Sequence, residues 1–273
     1  MNTVAVKPVS DLHVSWGVDA IAVGDRRLSV GDVLRSLHRQ GHLRSLLQEA
    51  AEENVLCVQA ACLGFSVSDQ QLQAAADGFR RRQRLFSVQD MQAWLQSRQL
   101  TELDFEELIL HQLRNEFVFA HVTRSAEDFF RSEPRLWDWW SYRELVVGSE
   151  SLAEELRCQH VEEGVSFEEL WTQHGAGAVQ GNGAALRSGF FALLPPWIRA
   201  VMSGAVPGIL LGPLCCASGW ALVIVEAVSP AIFNERTEAA IRTLLYRQWF
   251  AARLNESAIS YPLLDLIACQ NES

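Results

Sequence analysis

Positive charge is scarce in this chain. Its 273 residues carry 23 Lys and Arg against 33 Asp and Glu, a formal net charge of −10 with no basic tail. A surface of that sign is repelled by phosphate backbones and anionic lipid, so nucleic acid and membrane surfaces are set aside as main partners. The one basic run, Arg80-Arg81-Arg82-Gln83-Arg84, reads as a solvated helix end. Cysteine is sparse too: Cys57, Cys62, Cys158, Cys215, Cys216 and Cys269 include no Cys-x-x-Cys pair. Free thiols in a reducing cytosol fit that usage better than a disulfide framework. The N-terminal stretch lacks an apolar segment of secretory type, so a cytoplasmic location is expected. No Gly-x-Ser-x-Gly elbow is present. His38 and His42 stand four apart, but Gly41 lies between them and no third ligand accompanies them. No metal and no other cofactor is expected.

One stretch without charge needs a decision. Ala200 to Val225 is long enough for a membrane span, yet Gly204, Pro207, Gly208, Gly212, Pro213 and Gly219 interrupt it. Turns alternating with short strands fit that punctuation better than one continuous helix. The Gly175–Gly183 run invites a phosphate-loop reading, but it follows a helix and lacks the Lys-Ser/Thr ending. It reads as a connector.

What is present begins with a core: 49% of residues are hydrophobic and 21% charged, the proportions of a globular protein. The first half carries regular helix-start signals. Ser29-x-x-Asp32, Ser66-x-x-Asp69, Ser87-x-x-Asp90 and Thr101-x-x-Asp104 each precede apolar residues at helical spacing. In each, the hydroxyl can cap a free amide while the carboxylate sits in the positive first turn. A strand-like run at Val18–Val23 precedes them, and Gly41 is expected to break the first helical pattern. These short amphipathic helices must pack on one another.

After Ser132-Glu133-Pro134 the character changes. Strands are expected at Tyr142–Val147, Ile209–Leu214 and Ala221–Val225. Helices are expected at Leu152–Glu162, after Ser166-x-x-Glu169, around Trp197–Met202, and over Glu235–Leu254. Phe190, Phe191, Trp197 and Trp220 fall around loops and element ends, beside Leu193, Leu194 and two prolines. Together they suggest an apolar groove for a peptide.

From Tyr142 to Val228 the order of motifs resembles a parvulin-type peptidyl-prolyl cis-trans isomerase domain. Arg143-Glu144-Leu145-Val146-Val147 resembles the first strand of that family. Gly164-Val165-Ser166-Phe167-Glu168-Glu169-Leu170 resembles its second helix entry. Ser188-Gly189-Phe190-Phe191, Leu193-Leu194-Pro195-Pro196-Trp197, Pro207-Gly208-Ile209, Gly212-Pro213-Leu214 and Gly219-Trp220 follow in the family's order. With a short strand and helices before this region and a long helix after it, most of residues 18–260 is similar to SurA-like chaperones.

The resemblance implies an α+β fold: an N-terminal helical domain, a parvulin-like four-stranded antiparallel sheet with surrounding helices, and a C-terminal helix packing back on the helical domain. The expected domains are 18–138, 139–230 and 231–260. The family's active site carries a His on the first strand, a Cys or Asp in the loop after the second helix, and a His on the last strand. Glu144, Ala176 or a neighbour, and Ala221 stand there instead, so no catalytic residue is assigned. The peptide groove is expected to comprise Glu144, Phe190, Phe191, Leu193, Trp197, Trp220 and Ala221. The resemblance thus implies binding of unfolded or proline-containing peptide clients, in peptide maturation or export, with weak isomerase activity or none. An active isomerase and a purely structural subunit are the alternatives.

Overall fold

Local signals set where the helices of the first half begin. A computed structural model describes residues 16–174 and 186–270. The chain divides into two units: residues 1–123 with 245–273, and residues 124–244.

In the first unit, β1 (Asp19–Val23) and β2 (Arg26–Ser29) form an antiparallel hairpin. The helices α1 (Val30–Arg39), α2 (His42–Cys62), α3 (Asp69–Arg82), α4 (Val88–Arg98) and α5 (Glu102–Val122) follow. Ser29 with Asp32, Ser87 with Asp90, and Thr101 with Asp104 form reciprocal capping boxes. The fourth expected box is displaced. Ser68, not Ser66, caps α3, and Gln71 rather than Asp69 returns the second hydrogen bond. An amide oxygen at that position accepts from the cap N–H as a carboxylate does, so either serine offered a start and the fold selected the later one. Gly41, at a φ of 77°, sits between α1 and α2 and places His38 and His42 on different helices. The core of this unit joins Leu56 and Ala60 of α2 to Val118 of α5, with Tyr246, Trp249 and Phe250 packed against them. Those three aromatics belong to α10 (Glu235–Glu256), whose later part returns to the helical unit. The Tyr246 hydroxyl donates to Asn115 Oδ1 at 2.8 Å. The short α11 (Pro262–Gln270) follows, with Ile267 fully buried.

The second unit opens with α6 (Ala126–Ser132) and a 3-10 turn at Pro134–Trp137. Then come β3 (Trp139–Val147), α7 (Glu150–Val161), α8 (Phe167–His174), β4 (Leu186–Phe190), α9 (Pro196–Met202), β5 (Leu210–Cys216) and β6 (Gly219–Ser229). The strand order is β4-β3-β6-β5 and every pairing is antiparallel. β3 begins at Trp139, earlier than expected, because Trp139–Ser141 pair with β4 and β6. One sheet face carries Leu145, Val147 and Leu222, covered by Ala153 and Leu156 of α7 and Phe167 and Leu170 of α8. The other carries Trp140, Tyr142, Val223 and Val225, covered by Leu194 and by Ile198 and Met202 of α9. The uncharged stretch from Ala200 is therefore the end of α9, a turn, and two strands. Among the described residues no helix is long and apolar enough to cross a membrane.

The units divide at Thr123/Arg124, upstream of the expected 138/139. Trp137 explains this: fully buried, it meets Phe129 of α6 and Phe190 of β4 edge-on, which ties residues before β3 to the sheet. Two glycines hold the last hairpin. At Gly212 (φ 123°) a Cβ would lie 2.7 Å from the Ala221 carbonyl oxygen, and at Gly219 (φ 133°) it would collide with that of Val147. Both conformations favour glycine.

Two outcomes are expected. Leu222→Ala empties a fully buried position and should cost about 2–5 kcal/mol of unfolding free energy, read by urea titration. The capping carboxylates should make the protein acid-sensitive. The Ser29 hydroxyl, then Arg35, hold Asp32 from its ordinary 3.8 down to about 2, and the Thr101 hydroxyl lowers Asp104. A depressed native pKa stabilises fully above the unfolded value and is lost as pH falls through the native one. The melting temperature should therefore fall between about pH 4 and 2, and less steeply in Asp32→Asn/Asp104→Asn.

Candidate functional site

Alternation along two strands decides what the candidate face contains. Side chains two apart share a face, so Trp140, Tyr142 and Glu144 of β3 point to the α9 side. Ala221, Val223 and Val225 of β6 point the same way. The registers Tyr142–Val225, Glu144–Val223 and Val146–Ala221 place these residues in adjacent rows. This face is the one that the sequence resemblance assigns to peptide.

At the position expected of a histidine on the first strand, Glu144 is mostly covered, with 14% of its side chain exposed, and pairs with Arg187 Nε at 2.5 Å. Arg187 comes from β4, whose register sets it opposite Tyr142. Burial, then the Glu144 carboxylate, push the Tyr142 hydroxyl above its usual range, and Arg187 opposes them. A Tyr–Glu–Arg cluster thus occupies this end of the face. Ala221, at the other expected histidine position, is fully buried and offers neither a proton nor an open surface. The loop position expected at Ala176 lies outside the described residues.

The apolar part of the face is built by the chain leaving β4. A 3-10 turn at Phe191–Leu193 is followed by Pro195 and Pro196, which start α9. Leu193 is 49% exposed, while Phe191 and Trp197 are half-buried against the Trp140 cluster. The Phe191 ring lies 5.4 Å from that of Trp140, tilted by 39°. Beside this pair opens a cavity of about 440 Å³, whose lining includes Trp140, Phe191, Ala205, Pro207 and Val228 as well as the charged Arg135 and Asp138.

Four of the seven expected groove residues, Glu144, Phe191, Trp197 and Ala221, belong to the α9 side, and Leu193 is exposed in the turn that leads to α9. Only Phe191 of these lines the cavity, which sits at the Trp140 end of β3 rather than over Ala221. Two expectations are corrected. Trp220 is on the opposite face, packed against the cluster under α7 and α8, because it is one residue out of phase with Ala221. Phe190 is a core residue: it meets Trp137 and Trp139 edge-on and is buried. Arg187 and Tyr142 were missed. Tyr142 could have been read two residues before Glu144 on one strand, but no sequence signal pairs Arg187 with them, since that pairing depends on register.

A helical unit that includes the end of a returning helix, followed in the second unit by a four-stranded antiparallel sheet flanked by helices, defines a fold that a peptidylprolyl isomerase of known structure shares. Among solved structures, the peptidylprolyl isomerase PrsA from Bacillus anthracis aligns with a TM-score of 0.55 and 16% identity, over 79% of this chain and 99% of that one. PrsA from Bacillus cereus aligns at 0.48 and 15%, over 89% and 93%. Foldase protein PrsA from Streptococcus pneumoniae aligns at 0.41 and 12%, over 90% and 95%. No protein-family model matches the chain, and no curated protein matches it in sequence.

The Tyr142 cluster gives a measurable signature. Glu144→Gln should bring the Tyr142 pKa back toward 10, its ordinary value, and Arg187→Gln should move it further up. Ring-carbon NMR titration of labelled tyrosine checks both signs.

Proposed function

We propose that the protein is a peptide-binding chaperone of the parvulin/SurA-like kind whose isomerase domain has kept the apolar binding face and lacks the family's two histidines. One observation carries this reading: Glu144 is engaged by Arg187 and Ala221 is fully buried, while Leu193 stays exposed in the turn that begins at Phe191. An extended client would lay an apolar or prolyl side chain against Leu193 and Phe191 and continue toward the cavity beside Trp140. Its source is an unfolded or proline-containing polypeptide, in peptide maturation or on the way to export. The six cysteines are free thiols, which supports placing this activity in a reducing compartment, the cytoplasm.

The chemistry that remains is small. Rotation about an X–Pro bond crosses about 18–20 kcal/mol because it breaks amide resonance. A planar amide is more dipolar than the twisted state, so an apolar surface disfavours the ground state. Each 1.36 kcal/mol so gained is about tenfold in rate. Stabilising the pyramidal nitrogen of the twisted state takes a donor; at the two positions where the resemblance expects histidine, Glu144 is held by Arg187 and Ala221 carries no polar group.

In a chromogenic Xaa–Pro peptide assay, acceleration above background should be at most about tenfold. Binding of an unfolded, proline-containing peptide, read by fluorescence anisotropy, should weaken about fivefold or more in Leu193→Ala and Phe191→Ala, as truncation of an exposed contact residue does. Fast turnover that disappears in Glu144→Gln would favour the working isomerase instead. Absence of any peptide binding would leave the structural subunit.

A further inference from the structure

The helical unit holds a second cleft, somewhat larger than the one beside Trp140. It measures about 580 Å³ and lies between α3, α4 and α5, within the range of about 300–1,000 Å³ that ligand sites occupy. Each helix gives it one stripe with helical spacing. From α3 come Leu72 and Ala76, from α4 Val88 and Met91, and from α5 Phe105, with Ile109 beneath. Ile109 is fully buried, but the layer above it is open: Val88 is 64% exposed, and α3 has no buried residue along its 14 positions. A short amphipathic helix in that state has an apolar face that is only half covered.

The charged side chains that line this cleft are mostly acidic. Asp69, Glu102 and Glu106 line it, against a single cation, Arg80. Glu102 and Glu106 are one turn apart on α5 and both are exposed. Another copy of this chain, at a net −10, presents the wrong sign to cover it. Three stripes facing one channel are three sides of a four-helix arrangement, so the missing element is a helix.

We propose that the cleft between α3, α4 and α5 docks an amphipathic helix of a partner polypeptide, with an apolar stripe flanked by Lys and Arg. The apolar stripe enters over Leu72, Met91 and Phe105, and the basic flanks meet Glu102, Glu106 and Asp69. This site stands apart from the sheet face, because a helix is required here and an extended, proline-containing segment there. It does not rest on the isomerase domain's having kept a peptide site.

The test uses the full chain and roughly 18-residue labelled peptides, about 27 Å of helix, read by fluorescence anisotropy. One has a leucine stripe with Lys and Arg flanks, a second has Glu flanks, and a third has the basic sequence with a central proline. The basic peptide is expected to bind, to weaken as salt rises from about 50 to 500 mM, and to bind at least about tenfold more tightly than the acidic one. The proline version should lose binding, since a central proline breaks the helix. Glu102→Lys/Glu106→Lys alters two exposed positions; with unchanged circular dichroism it should cut affinity for the basic peptide about tenfold and raise it for the acidic one. Leu193→Ala should leave all of this unchanged. Equal binding of basic and acidic peptides, indifference to the double charge reversal, or retention of the proline version would overturn the proposal. So would a dimer by analytical ultracentrifugation that the charge reversal dissociates, since a second copy would then cover the cleft.

Discussion

Strand β6 is buried on both faces, and the arrangement of the sheet unit follows from that. Leu222 points into the core under α7 and α8, while Ala221, Val223 and Val225 point into the core under α9, and all four are completely inaccessible. A strand so placed cannot slip by one residue, because the slip would exchange both sets of side chains between two differently shaped cores. The same constraint fixes β3 beside it over nine paired positions and β5 on its other edge. Gly212 and Gly219 allow the close approach of those neighbours, since each is a point where a side-chain carbon would strike a backbone carbonyl.

That register also decides the chemistry of the α9 face. Because Ala221 shares its face with Val223, the centre of the last strand is sealed by hydrocarbon. Because β4 sets Arg187 across from Tyr142, the Glu144 carboxylate has a guanidinium partner. A carboxylate with 14% of its side chain exposed is costly to leave unpaired, so the cation is the physical condition for having an acid at that position at all. What stays open is apolar: the Leu193 edge, the Phe191 ring on Trp140, and the cavity beside them. The helical unit has the reverse character, with acidic side chains around its apolar cleft, so the two units offer chemically different surfaces.

Much of the fold was legible from local rules. The hydroxyl–carboxylate spacings at Ser29, Ser87 and Thr101 marked real helix starts, because an N-cap satisfies backbone donors that nothing else nearby can reach. The break at Gly41 and the helix after the two prolines were legible for similar reasons. Where two local solutions competed, as at Ser66 and Ser68, local rules could not choose. The aromatics were harder. Phe190, Phe191, Trp197 and Trp220 formed one group along the chain, yet Phe190 is core, Trp220 is on the opposite face, and only Phe191 and Trp197 remain on the α9 side.

Capping signals and hydrophobic spacing by themselves determined the helix starts of the first unit and the alternation of helices and strands in the second, because backbone hydrogen bonding and periodicity act over a few residues. The antiparallel order of the sheet was not read from them; it was implied by the resemblance in motif order. Only tertiary structure decided which side chains meet. The Glu144–Arg187 pair joins residues 43 apart in sequence, and the cleft of the helical unit needs three helices at once. Both are set by strand register and helix packing, which depend on how distant segments fill a shared core and so leave no mark in any one segment.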